Sequence, residues 1–100
     1  MADLLSAADV TAALARLDGW TWAGGSTGLV RTSSLPSFPD AIAVVDRVAV
    51  VAEQMDHHPD IDIRWRTLTF TCATHSEGGV TDLDVRLATQ IDEILAAYQT

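Results

Sequence analysis

The stretch Asp60-Ile61-Asp62-Ile63-Arg64-Trp65-Arg66-Thr67-Leu68-Thr69-Phe70-Thr71-Cys72 decides how this chain folds. Successive side chains of a strand point to opposite faces, so Ile61, Ile63 and Trp65 share one side and Asp60, Asp62 and Arg64 the other. Leu68, Phe70 and Cys72 alternate with Thr67, Thr69 and Thr71 in the same way. The run is longer than an ordinary strand of about five to six residues, so it predicts a hairpin bending near Arg64 to Thr67. No Gly, Pro or Asn marks that bend. One greasy face and one polar face mean a sheet covered on a single side.

Both flanks of the hairpin read as helix. Upstream, in DAIAVVDRVAVVAEQM, residues Ile42, Val45, Val48, Ala49, Ala52 and Met55 recur at helical spacing, and Val44, Val50 and Val51 widen the apolar face. Ser37 or Pro39 starts this helix, and His57-His58-Pro59 stops it, because a residue preceding proline is pushed out of the α region. Downstream, Thr81 caps a third helix whose buried stripe is Leu87, Ile91, Ile94, Leu95 and Tyr98. Asp84 stands three residues past the cap and by spacing alone is the acidic half of a capping box, with Val80 and Val85 placed as a hydrophobic staple.

Toward the N-terminus, Ser6 and Asp9 make a second cap, with Leu5 and Val10 as its staple, for a first helix from about Ala7 to Leu17. Trp20–Ala23 and Leu29–Ser33 read as short strands around Gly24-Gly25. The order α-β-β-α-β-β-α with short connections predicts an α+β fold, a layer of helices against one antiparallel sheet. At 100 residues the expectation is one domain spanning 1–100.

Composition narrows the function. The formal charge is −8 and every one of the six basic residues is arginine, spread along the chain. Phosphate backbones and anionic membranes need clustered positive charge, so neither nucleic acid nor a membrane surface is an expected partner. One cysteine, Cys72, precludes an internal disulfide, and the start MADLLSAADV lacks a basic, apolar leader. The expected setting is the cytoplasm.

All three histidines lie between positions 57 and 75, at the rims of elements, with Glu53, Asp56 and Asp84 around them. Imidazole gains and loses protons near neutral pH, so converging histidines with carboxylates suit acid–base chemistry. A histidine zinc site is a rival reading, but helical zinc pairs are spaced by four, whereas His57 and His58 are adjacent. Ser76 lacks a nucleophile elbow, and Gly78-Gly79 lacks a phosphate-loop context. Cys72, on the apolar face of its strand, reads as an inert buried thiol, and Trp65 by itself reads as hairpin packing. From spacing alone the chain is a small α+β domain with a histidine cluster.

The residues carry a further signal. Glu53, three residues, His57-His58-Pro59, five residues, Trp65, nine residues, His75, eight residues and Asp84 together resemble the signature of pterin-4a-carbinolamine dehydratases. AEQMDHHPD and THSEGGVTDLDVRLATQID are similar to that family's text, and the match spans roughly Val51 to Asp92. The resemblance implies a four-stranded antiparallel sheet with three helices on one face. It implies a hydro-lyase, a 4a-hydroxytetrahydrobiopterin dehydratase, using neither metal nor organic cofactor. His57, His58 and His75 would line the site, His58 and His75 moving protons around the departing hydroxyl and His57 orienting. Glu53, Asp56, Trp65 and Asp84 would contact the pterin or hold the imidazoles. Two departures stand out: Ile61, where many relatives carry an aromatic residue, and Leu83, where many carry a basic one. The family also implies a rival, a non-enzymatic dehydratase-like partner or assembly protein binding through the helix 2 face, such as a dimerization cofactor or a Rubisco assembly protein. In the Rubisco-associated relatives the histidine set is typically eroded; here it is complete. Small size and the broad apolar helix face point to a homodimer or homotetramer.

Overall fold

A computed structural model describes residues 3–99; the ends of the expected domain, residues 1, 2 and 100, lie outside it. The elements are α1 (Ala7–Leu14), β1 (Thr21–Trp22), β2 (Leu29–Ser34), α2 (Phe38–Met55), β3 (Asp60–Arg64), β4 (Thr67–Cys72), a short 3₁₀ turn (His75–Glu77) and α3 (Asp82–Tyr98). The strands form one antiparallel sheet in the order β1-β2-β4-β3. This is the α+β architecture expected from the alternation.

The hairpin residues pair in register, Ile61 with Phe70 and Ile63 with Leu68, and β2 adds Arg31 opposite Phe70 and Ser33 opposite Leu68. Leu68, Phe70 and Cys72 are fully buried beneath the helices, packed with Val44, Val48, Leu87, Ile91 and Leu95. The opposite face is a hydroxyl surface: Thr32 bonds Thr69 and Ser34 bonds Thr67, each at 3.0 Å. Cross-strand hydroxyl pairs stabilise a solvated sheet face without burying it. A half-buried Asp92 ties the sheet to α3, its Oδ1 accepting from Trp20 Nε1 at 2.7 Å and Arg31 Nη1 at 2.6 Å.

The caps form as the sequence predicts. Ser6 accepts from the Asp9 backbone N–H, Ser37 from that of Asp40, and Thr81 with Asp84 closes a complete capping box. Two boundaries differ from expectation, and a third has another cause. The first helix ends at Leu14 and not Leu17, because the Arg16 and Leu17 N–H groups bond three residues back, tightening the last turn to 3₁₀ geometry. The first strand keeps only Thr21–Trp22 of its expected four residues. The second helix does end at Met55, but the stop is Asp56 in the left-handed conformation (φ 50°), not the proline three residues on. The buried line of α2 is also rotated from the expected one: Ala41, Val44, Val48 and Ala52 face the core, while Ala49 and Val50 face out.

The bend falls at Trp65-Arg66, inside the expected interval, with Trp65 itself at φ 56°. A bulky residue with positive φ is a rare choice, which is why no turn residue announces this one.

Candidate active site

The end of α2 builds the first half of the site. After left-handed Asp56, the His57 N–H bonds the Ala52 carbonyl at 3.0 Å and the Asp56 N–H bonds the Glu53 carbonyl at 3.1 Å. This pair of back-bonds is a Schellman closure, which satisfies the last helical carbonyls and reverses the chain. Aspartate is among the few residues other than glycine that visit this conformation readily. The reversal sends His57 inward, where it is buried, and leaves His58 on the surface.

The second half comes from the end of β4 and the start of α3. Thr74 leaves the sheet, closes a bridge with Gly79 and precedes His75, while Thr81 and Asp84 open α3. Because Asp60 pairs with Thr71, His57–Pro59 and Ala73–His75 emerge from the same end of the sheet.

The two halves meet at Asp84. One carboxylate oxygen, Oδ1, lies 2.6 Å from His57 Nε2; the other, Oδ2, accepts from the Thr74 hydroxyl and the Thr81 backbone N–H, each at 2.8 Å. The Thr74 and Thr81 hydroxyls are themselves 2.8 Å apart. Asp84 has no exposed side-chain surface and His57 keeps only 10% of its own. Three donors converge on a group that in its ionised form can only accept, so the buried charge is satisfied on every side. Asp84 therefore does more than the capping role its spacing suggests: the same carboxylate closes the cap and anchors an imidazole.

Ionised Asp84 cannot donate, so His57 Nε2 must carry the proton, and in the neutral ring Nδ1 is then a bare acceptor. Nδ1 has no hydrogen-bond partner among the described residues, yet no buried side-chain nitrogen or oxygen there is left unpaired. It therefore keeps contact with solvent. The other two histidines are exposed. His58 Nε2 lies 2.8 Å from Glu53 Oε1, with side chains 56% and 81% exposed, a geometry worth at most a fraction of a kcal/mol. His75 begins the 3₁₀ turn, its side chain unpaired among the described residues.

Of the residues expected at the site, His57, His58, His75, Glu53, Asp56 and Asp84 come from segments that meet at this end of the sheet. Trp65 is at the other end, 73% exposed on the hairpin tip with the Arg66 guanidinium 5.3 Å from its ring centroid. Thr74 escaped sequence reasoning, because a threonine leaving a strand has no chemical signature of its own. Among the described residues no three His, Cys, Asp or Glu side chains are grouped to hold a metal ion. Cys72 is buried as expected; burial, and then the nearby Asp84 charge, push its thiol pKa well above the ordinary range.

The sheet with its covering helices is a fold that known proteins share. Residues 3–94 match the family model described as pterin 4 alpha carbinolamine dehydratase, and the chain belongs to that family. It is 55% identical over 92 residues to a protein of Nocardia farcinica (strain IFM 10152) named "Putative pterin-4-alpha-carbinolamine dehydratase", covering 92% of this chain and 95% of that one. A Roseiflexus (strain RS-1) protein of the same name is 53% identical over 95 residues, covering 95% of this chain and 100% of its own length. Among solved structures, a transcriptional coactivator/pterin dehydratase from Brucella melitensis superposes with a TM-score of 0.89 at 33% identity, over 93% of this chain and 99% of that one. A pterin dehydratase-like protein described as a RuBisCO assembly factor in the alpha-carboxysome shares the fold, with a TM-score of 0.66 at 19% identity over 77% and 89% of the two chains.

Proposed function

We propose that this chain is a 4a-hydroxytetrahydropterin dehydratase, a single domain that converts the 4a-carbinolamine to a quinonoid dihydropterin by histidine acid–base catalysis. The observation that carries the reading is the buried Asp84–His57 pair, set beside exposed His58 and His75 at one end of the sheet. In the reaction the C4a–O bond breaks, a proton joins the departing hydroxyl to give water, and a ring nitrogen releases a proton as a carbon–nitrogen double bond forms. No electrons leave the ring. Groups that titrate near neutrality meet both demands, and positioned acid–base groups contribute about 10²–10⁴-fold in rate.

In this reading His58 and His75 move the protons, and His57 orients the pterin through Nδ1. Glu53 steadies His58, and Asp56 directs the turn that presents both histidines of the pair. Asp84, wholly buried, acts through His57. Trp65 stands beyond the far end of β3, whose span from Asp60 to Arg64 alone is about 13 Å at roughly 3.3 Å per residue, and meets a pterin only where a second copy of the chain presents it.

Association fits the exposed apolar residues. Val50 on α2 and Ile63 on the edge strand β3 remain open, and β3 carries an unpaired backbone edge. We read the chain as a homodimer or homotetramer. Its single buried thiol suits a reducing compartment, the cytoplasm.

The test is turnover of freshly generated 4a-hydroxytetrahydropterin, followed by ultraviolet absorbance, with His75→Ala as control. Acceleration by the parent and not by the variant supports the dehydratase. A folded parent without acceleration refutes it and favours the partner-protein reading, for which the Arg47, Val50, Val51 and Ile94 surface is the docking face.

A further inference from the structure

The geometry points to Thr74 as a positioning residue of this site, one that keeps His57 a hydrogen-bond acceptor toward the substrate. The inference rests on the dehydratase reading for its kinetic consequence but not for its structural one. Thr74 is buried, and among the described residues its hydroxyl is the one side-chain donor other than His57 that reaches Asp84. Its proton goes to Asp84 Oδ2, since an ionised carboxylate can only accept. The 2.8 Å contact with Thr81 must then run from the Thr81 hydroxyl to the Thr74 oxygen. The Thr81 oxygen in turn accepts from the Leu83 N–H at 3.3 Å.

The result is a one-directional chain of donors, Thr81 to Thr74 to Asp84, ending on the carboxylate that holds His57 Nε2–H. With Oδ2 pinned by Thr74 and Thr81, Oδ1 has one position and the imidazole one partner. Removal of the Thr74 hydroxyl leaves Oδ2 with a single donor and the Thr81 hydroxyl without an acceptor. The carboxylate is then held by the Thr81 N–H alone and can swing Oδ1 away from Nε2, so the ring is no longer held to one tautomer. A fixed Nδ1 lone pair is suited to receive an N–H of a pterin, which presents several. Contact of this kind is made in ground state and transition state alike, so its loss raises KM and not kcat.

The experiment compares the parent protein with Thr74→Val and Thr74→Ser. Long-range ¹H–¹⁵N spectra of the histidine rings, at a pH about two units above the ordinary imidazole value near 6.5, report the tautomer of His57 without substrate. The parent and Thr74→Ser are expected to show the Nε2–H form, and Thr74→Val a mixture of both. In turnover assays KM rises about twofold in Thr74→Val when half the rings hold the other tautomer, since apparent affinity falls with the competent fraction. The serine variant restores it, and kcat changes little in either.

An Nδ1–H ring in the parent overturns the proposal outright, so it can be refuted even if Thr74→Val fails to fold. A Thr74→Val protein with the parent tautomer and the parent KM overturns it as well. If the parent shows no turnover, the dehydratase reading fails, while the ring spectra still decide whether Thr74 sets His57.

Discussion

Replacing Asp84 by asparagine preserves the side-chain shape and deletes the charge, and the three donors around it dictate the response. An amide offers one acceptor oxygen and one NH2 group. The Thr81 N–H is a backbone donor that cannot turn, so the oxygen must take the Oδ2 position, where Thr74 also donates. The NH2 group then faces His57 Nε2 at what is now a 2.6 Å contact between oxygen and nitrogen. Two donors cannot share that contact, so the ring proton moves to Nδ1 and the solvent-facing nitrogen changes from acceptor to donor. Hydrogen bonds to a charged group contribute about 1.5–3 kcal/mol against about 0.5–1.5 for neutral ones, so three bonds lose about 3 kcal/mol together. Against a total stability of about 5–15 kcal/mol this is a large share, and for a chain of this size it lowers Tm on the order of 10–20 °C. Urea unfolding followed by tryptophan fluorescence gives the first quantity, and ¹H–¹⁵N spectra of the ring give the second. An Asp84→Asn protein that keeps both the parent midpoint and an Nε2–H His57 would refute the reasoning.

Other substitutions probe separate parts of the molecule. His58→Ala is expected to lower kcat about 10²-fold or more while the far-ultraviolet circular dichroism is unchanged, since its side chain is exposed and its loss leaves no buried group unpaired; unaltered turnover would remove it from the machinery. Gly28→Ala places a Cβ 2.6 Å from the Cys72 carbonyl oxygen and 3.0 Å from the Ala73 Cβ, an overpacking against backbone expected to cost about 1–3 kcal/mol in urea unfolding. Cys72 should resist Ellman's reagent at pH 8 until denaturant is added. Its thiol pKa is raised on folding, so its stabilising contribution is complete below the ordinary value of 9.0 and declines as pH rises above it. With no lysine in the chain, that alkaline decline should flatten visibly in Cys72→Ala. Val50→Glu places a charge on the open face of α2 and should shift sedimentation toward the monomer at micromolar concentration; an unchanged assembly would mean that this face is not used.

The hairpin and the helix caps were legible because they are written in local alternation and in short hydrogen-bonding residues at fixed offsets. Leu68, Phe70 and Cys72 went inward as their period requires, and Ser6, Ser37 and Thr81 capped as their chemistry requires. The left-handed conformations of Asp56 and Trp65 are not legible, since a two-residue hairpin loop demands positive φ at its first position and the end of α2 demands it at Asp56, with no glycine at either place to announce it. Ala49 was assigned inward by periodicity, yet the sheet selects a line of α2 centred on Val44 and Val48, and no pattern within one helix specifies that rotation. At the site, the histidines and Asp84 stood out by residue type and spacing, whereas the contact between His57 and Asp84 joins residues 27 apart. Thr74 becomes visible only once that contact is in place.

The carboxylate of Asp84 starts a helix and anchors an imidazole with the same two oxygens. In a lineage released from selection for catalysis, these two duties would not decay together. Exposed His58 and His75 could drift freely, while Asp84 would persist for as long as α3 needed its cap. An intact aspartate at this position is thus poor testimony to activity in a distant descendant, and the surface histidines are the better witnesses.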